Sequence, residues 1–157
     1  MQLLSSSFAD GQAIPVEHTC EGGDASPALR WGDVPKTAQT LVLIVDDPDA
    51  PDPQAPKTTW VHWLLFNIPV SATELVARIK PAKLPPGTGQ GKNDWGSTGY
   101  RGPCPPIGRH RYFHKLYALD TNLAGLTAPT KAQLEAAMRG HIIAQATLMG
   151  TYARTTR

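Results

Sequence analysis

The sequence predicts a mainly β, single-domain protein, and three observations predict it. Residues 41–45 (LVLIV) and 60–66 (WVHWLLF) are apolar on both faces, as strands covered on both sides are. Residues 109–119 (RHRYFHKLYAL) alternate with a period of two. Fifteen prolines and fourteen glycines are scattered along 157 residues rather than gathered in a tract, which is the punctuation of many turns. A chain of this length, 1–157, suffices for one domain with a proper core.

Composition removes several function classes. Hydrophobic residues make up 41% and charged residues 18%, ordinary for a globular domain. The net charge is +2 and the basic residues form no run, so nucleic acid is excluded as a partner. No apolar run approaches the roughly 20 residues that cross a bilayer, and no basic amphipathic helix or lipidation signal is present, so no integral membrane association is expected. The start, MQLLSSSFADG, lacks a basic region followed by an apolar one, and the expected compartment is the cytoplasm. Cys20 and Cys104 are then expected as reduced thiols, with a single bridge between them as the alternative.

Taken in order, residues 1–35 read as irregular with short strands. A turn falls at residues 8–11, an extended piece at 14–20, a turn-rich loop at 21–27, and a brief alternating segment at Leu29, Arg30 and Trp31. Two strands follow, joined by an acidic, proline-rich loop carrying Asp46, Asp47, Asp49 and Asp52, with prolines at 48, 51, 53 and 56. Residues 72–79 suggest a helical turn or two. The glycine-rich stretch 85–94 has no Lys-Ser/Thr ending and no strong strand before it, so it is not a phosphate-binding P-loop. Residues 95–106 follow an unusual backbone path set by glycine and proline, whose exposed N–H groups suit an anion. The strand at 109–119 puts His110, Tyr112 and His114 on one face. After it the chain is expected to turn helical. Thr130 with Gln133 fits a capping box before a helix over 131–138, Gly140 interrupts it, and residues 141–149 place Ile142, Ala146 and Met149 on a second helical stripe.

Five residues call for one explanation: Asp47, Asp49, His62, His110 and Tyr112. Two imidazoles and a phenol are good donors to a phosphate or carboxylate group. A carboxylate beside them makes sense if Asp47 accepts from a ring N–H, which orients the imidazole. Prolines around such a pocket hold its walls and lower the entropic cost of binding. The same residue types suit two enzymatic alternatives. Asp47, Asp49, His62 and His110 are metal-ligand types for a hydrolase, although no compact H-x-x-x-H spacing is present; Cys104 with His110 is a thiol nucleophile and base.

The order and spacing of these motifs resemble the phosphatidylethanolamine-binding proteins, also called Raf kinase inhibitor-like proteins. DPDAP at 47–51, Trp60-Val61-His62-Trp63 with Asn67-Ile68-Pro69, Gly102-Pro103-Cys104-Pro105-Pro106, Gly108-Arg109-His110-Arg111-Tyr112 and the ending GHIIAQATLMGTYAR carry the resemblance, which is to the bacterial branch and spans residues 8–154. It implies a large antiparallel sheet packed on a smaller one, with a few peripheral helices including C-terminal ones. It implies a small-anion pocket lined by Asp47, His62, His110 and Tyr112. Pro51, Trp60, Gly102 and Pro106 would shape that pocket, and Asp49 would support its loop. Cys104 stands where eukaryotic members usually have a small residue, and a thiol there alters access. The segment between Pro106 and His110 is short, which opens the rim.

The function that follows is non-catalytic binding of a phosphate, phospho-head-group or carboxylate, with no metal or cofactor, modulating a partner protein such as a kinase or protease. Bacterial relatives are often dimers, which makes a homodimer part of the expectation. Because the family includes protease inhibitors, a serine protease inhibitor acting through the exposed loop at 81–94 is a further alternative.

Overall fold

The computed structural model describes residues 1–155. Strands β1 (Gln2–Leu4), β2 (Leu29–Gly32) and β5 (Glu74–Leu75) form a small sheet in the order β1-β2-β5. Strands β3 (Thr40–Ala50), β4 (Thr58–Pro69), β6 (Gly89–Gln90), β7 (His110–Leu119) and β8 (Ile142–Tyr152) form a larger one in the order β6-β4-β3-β7-β8. Every strand pairing is antiparallel. Single 3-10 turns occupy Val16–His18 and Pro81–Lys83, and α1 (Lys131–Met138) is the one α-helix among the described residues.

The two-sided apolar character of β3 and β4 has a direct cause. Leu41, Leu43 and Val45 point into the core shared with the small sheet, beside Leu29, Trp31, Trp63, Leu65 and Leu116. Val42 and Ile44 point the other way, into a second cluster with Leu64, Phe66, Leu134 and Met138 beneath α1. The large sheet is therefore sandwiched, and residues 41–45 are at most 2% exposed. On β7, His110, Tyr112, His114, Leu116 and Ala118 alternate as buried positions, as their period predicts.

Helix α1 starts as its sequence predicts: Thr130 Oγ accepts the Gln133 N–H at 3.2 Å, and Gln133 Oε1 accepts the Thr130 N–H at 3.0 Å. It does not resume after Gly140. That glycine sits at φ +83°, where the helix ends, and the chain turns back to pair with β7 from Leu119↔Ile142 to His110↔Tyr152. The expected second helix over 141–149 is thus strand β8. Its apolar stripe has helical spacing by coincidence, and Leu148, Gly150 and Tyr152 alternate inward.

Other expectations need correcting. Residues 72–79 hold the two-residue strand β5 rather than helical turns, because β2 offers an unpaired edge there. The expected extended piece at 14–20 is interrupted by the 3-10 turn Val16–His18, with Thr19 Oγ1 and the Thr19 N–H both bonded to the Val16 carbonyl. Asp46, Asp47 and Asp49 are buried members of β3, not residues of a loop. The two cysteines are not thiols. Cys20 and Cys104 form a disulfide across 84 residues, with Cα atoms 5.4 Å apart. The Cys20 N–H donates to the Pro103 carbonyl at 3.1 Å, so the backbone itself brings the pair together.

Candidate ligand-binding site

His62 reaches the site through an irregularity in β4. Val45 pairs with Trp63 and Asp46 with Val61, so His62 is an extra residue with no partner on β3. Such a bulge puts two successive side chains on one face. Trp63 belongs to the inter-sheet core, and the His62 ring lies on the same side, edge-on to Tyr112 with centroids 5.2 Å apart. A second shift between Asp47↔Trp60 and Ala50↔Thr58 bends β3 just before the cis Ala50–Pro51 peptide. The adjacent carboxylates of Asp46 and Asp47 point to opposite faces, as neighbours on a strand do. Asp46 is fully buried between Lys131 at 2.8 Å and Lys115 at 3.1 Å, and does not line the cavity.

Asp47 and His110 form the buried centre. Asp47 Oδ2 lies 2.6 Å from His110 Nδ1, and Asp47 Oδ1 accepts the Asp49 N–H at 2.7 Å. His110 Nε2 faces two backbone carbonyls, Ile107 at 2.9 Å and Pro51 at 3.1 Å. Carbonyls only accept, so Nε2 carries a hydrogen, and one further proton lies between Nδ1 and the carboxylate. Burial raises the Asp47 pKa above the ordinary carboxylate value, outweighing the bond from His110. The predicted ring-to-carboxylate bond is therefore present, and His110 also ties together the two loops that flank it.

The other residues divide clearly. Burial, reinforced by the Asp47 charge, raises the Tyr112 phenol, which stays a protonated donor. Its hydroxyl makes no hydrogen bond to protein among the described residues, and the ring is 1% exposed. His62 Nδ1 donates to the Arg101 carbonyl at 2.6 Å, while desolvation lowers its pKa to about 4, so the ring is neutral near pH 7. Asp49 holds Arg111 with two side-chain bonds at 2.8 and 2.9 Å and also accepts its backbone N–H at 2.9 Å, which lowers the Asp49 pKa.

A cavity of about 300 Å³ opens over this centre. Asp47, His62, His110 and Tyr112 all line it, joined by Pro51, Trp60, Cys104 and Pro106. Asp49 and Gly102 are not in its lining; they act from behind the walls. Gly102 donates its N–H to Asp24 Oδ1 at 2.8 Å and lies so close to residues 18–24 that a Cβ there would stand 2.1 Å from the His18 carbonyl oxygen. Neither the carbonyl nor the carboxylate can withdraw freely. Gly102→Ala is expected to cost about 1–3 kcal/mol in a urea titration by overpacking, and a loss below about 0.5 kcal/mol would show that this contact is not a constraint.

Sequence reasoning missed Trp95, Ala50 and Pro105 in the lining. Trp95 contacts Trp60 and His62 edge-to-face at 5.5 and 5.1 Å, and the Arg101 guanidinium lies over its ring at 5.1 Å. A tryptophan in an otherwise polar, glycine-rich loop was the available signal, since so large a ring needs an apolar wall. Cys104 contributes a disulfide sulfur rather than a thiol, which removes it as the nucleophile of a cysteine hydrolase. Among the described residues, no three His, Cys, Asp or Glu side chains converge as a metal-binding set.

Comparison with known proteins settles the lineage. The family model for the phosphatidylethanolamine-binding protein matches residues 4–153. The chain belongs to the phosphatidylethanolamine-binding protein family. It is 47% identical to a UPF0098 protein of Methanothermobacter thermautotrophicus, over 98% of this chain and 99% of that one. A crystal structure of a phosphatidylethanolamine-binding protein homologue from Chlamydia trachomatis superposes with a TM-score of 0.89 at 42% identity, covering 98% and 97% of the two chains. E. coli YbcL, described as a member of the mammalian family, superposes at 0.88 with 33% identity and 98% coverage of both chains. The family's two-sheet architecture is the one found here.

Proposed function

We propose that this family member is a non-catalytic binding protein whose cavity takes a small anionic group: a phosphate, a phosphorylated head group or a carboxylate. The observation that carries the reading is the Tyr112 hydroxyl, a protonated donor with no hydrogen bond to the described residues, on a ring that lines a cavity with apolar and aromatic walls. A few placed polar groups within an apolar lining are the usual make-up of a small-ligand site. The Asp47 carboxylate does not oppose an anion, because His110 accompanies it at 2.6 Å. His110 joins the ligand directly only by releasing the Ile107 or Pro51 carbonyl. The disulfide and the rigid Pro51, Pro105 and Pro106 wall supply preorganisation rather than chemistry. An anionic group carried on a kinase, a protease or another protein would make the same site regulatory. Among the described residues no helix is long and apolar enough to cross a membrane.

The test is a titration with phosphate and with phosphoethanolamine, followed by two-dimensional NMR, in wild type and Tyr112→Phe. Saturable shifts around residues 47–62 and 95–112 are expected in the wild type. Affinity should fall about tenfold or more in the variant, the loss of one hydrogen bond to a charged group. Wild-type spectra that do not respond would overturn the reading.

A further inference from the structure

The polarity of the cavity floor is more specific than a set of donors. His62 Nδ1 is committed to the Arg101 carbonyl at 2.6 Å, so a neutral ring presents a lone pair at Nε2. Around the ring stand Tyr112 and Trp95 edge-on, with Arg101 stacked over Trp95. The charges of Asp46 and His110 act on it from nearby, Asp47 is tied to His110, and His114 and Tyr100 share the closed crevice behind it. The Arg101 and Gly102 carbonyls favour a protonated ring, but burial outweighs them. Each Asp47 oxygen already accepts one bond and has capacity only to accept another, and His110 Nε2 faces two carbonyls. Facing an occupant are the His62 Nε2 acceptor and the Tyr112 Oη donor, with the Asp47 carboxylate as a further acceptor and the Trp60 and Trp95 rings in the wall.

An oxyanion that carries no hydrogen has only acceptors to offer. Its oxygen would meet the Tyr112 hydroxyl well but set lone pair against lone pair at His62. An oxyanion with one hydrogen satisfies both groups. We propose that the cavity selects hydrogen-bearing oxyanions: hydrogen phosphate or the monoanion of a phosphate monoester, whose P–OH donates to His62 Nε2 while an unprotonated oxygen accepts from Tyr112. The inference rests on the anion reading above and adds the protonation state of the ligand to it. No bond is made or broken; the bound monoester holds one proton more than its free dianion. Its apparent affinity therefore falls about tenfold per pH unit above its second pKa, which is about 6.

The experiment compares inorganic phosphate, methyl phosphate and sulfate by calorimetry on the whole protein, with methyl phosphate repeated at pH 6, 7 and 8. Both phosphates are expected to bind at pH 7, the tighter one distinguishing a free-ion site from an ester site, with sulfate at least tenfold weaker. Methyl phosphate should weaken about tenfold from pH 7 to pH 8. In His62→Gln the amide can turn either edge to the ligand, so sulfate and phosphate should come within about threefold of one another. ¹⁵N spectra of the wild-type ring should show Nε2 unprotonated both free and bound. Sulfate binding as tightly as phosphate, an affinity that is flat from pH 6 to 8, or a ring protonated at Nε2 in the complex would overturn the proposal while leaving an anion site in place. If none of the three ions binds the wild type, the anion reading falls and this inference with it. The wild-type arms decide the matter if the variant does not fold.

Discussion

At pH 5 the folded state is expected to be about 4 kcal/mol less stable than at pH 7, from two buried histidines alone. Desolvation lowers His62 and His114 from 6.5 to about 4. His114 is 1% exposed and its Nδ1 has no hydrogen-bond partner; the backbone at Leu148 and Tyr112 favours the charged ring, but burial outweighs it. In the unfolded chain both rings bind a proton as pH falls through 6.5, whereas in the folded state they stay neutral until about 4. The unfolded state therefore gains protons first, and stability is lost progressively across that window. At pH 5 each ring accounts for about 2 kcal/mol, approaching about 3 kcal/mol near pH 4. Urea denaturation at pH 7, 6 and 5, with the His114→Phe variant alongside, checks this. The variant should show roughly half of the wild-type slope. Stability that changes by less than about 1 kcal/mol between pH 7 and pH 5 would mean that these rings are not held neutral.

Removal of the disulfide is the second large effect. Closing 84 residues restricts the unfolded chain strongly, and the chain-entropy relation gives about 4.5 kcal/mol for a loop of this size. The bond also fastens residues 18–24 to the cavity wall at Cys104, beside the Gly102–Asp24 and Tyr100–His18 hydrogen bonds. Cys20→Ala with Cys104→Ala is expected to cost about 2–5 kcal/mol by equilibrium denaturation. It should also loosen the Cys104–Pro106 side of the cavity, seen as faster hydrogen exchange at residues 101–107. A loss below about 1 kcal/mol would indicate that the unfolded chain is already compact between these residues.

Much of this was legible in advance, for reasons that can be named. Strands β3, β4 and β7 carry strong apolar or alternating patterns, and α1 carries a capping box, so each was visible from local sequence. The cavity residues were visible through the family's motifs, since nothing local connects Asp47 with His110 across 63 positions. What escaped depended on tertiary context. Counting by two along β4 sets His62 and Trp63 on opposite faces; the bulge reverses that, and no residue of the WVHWLLF run signals it. Residues 141–149 fit a helix by spacing, but residues 142–152 form a strand by pairing, and β7 decides. The cysteines were judged by compartment, and their backbone neighbours overrode that rule.

The cavity is built from no local piece of chain. His62 meets Arg101 across 39 residues, Asp47 meets His110 across 63, and Cys20 meets Cys104 across 84. A fragment holding any one motif holds no pocket, and the walls come together only when both sheets have closed. Occupancy is thus a report on the whole folded molecule. Any ligand that fits draws its free energy from the complete native state and returns it there, raising global stability in proportion to the logarithm of its concentration above the dissociation constant.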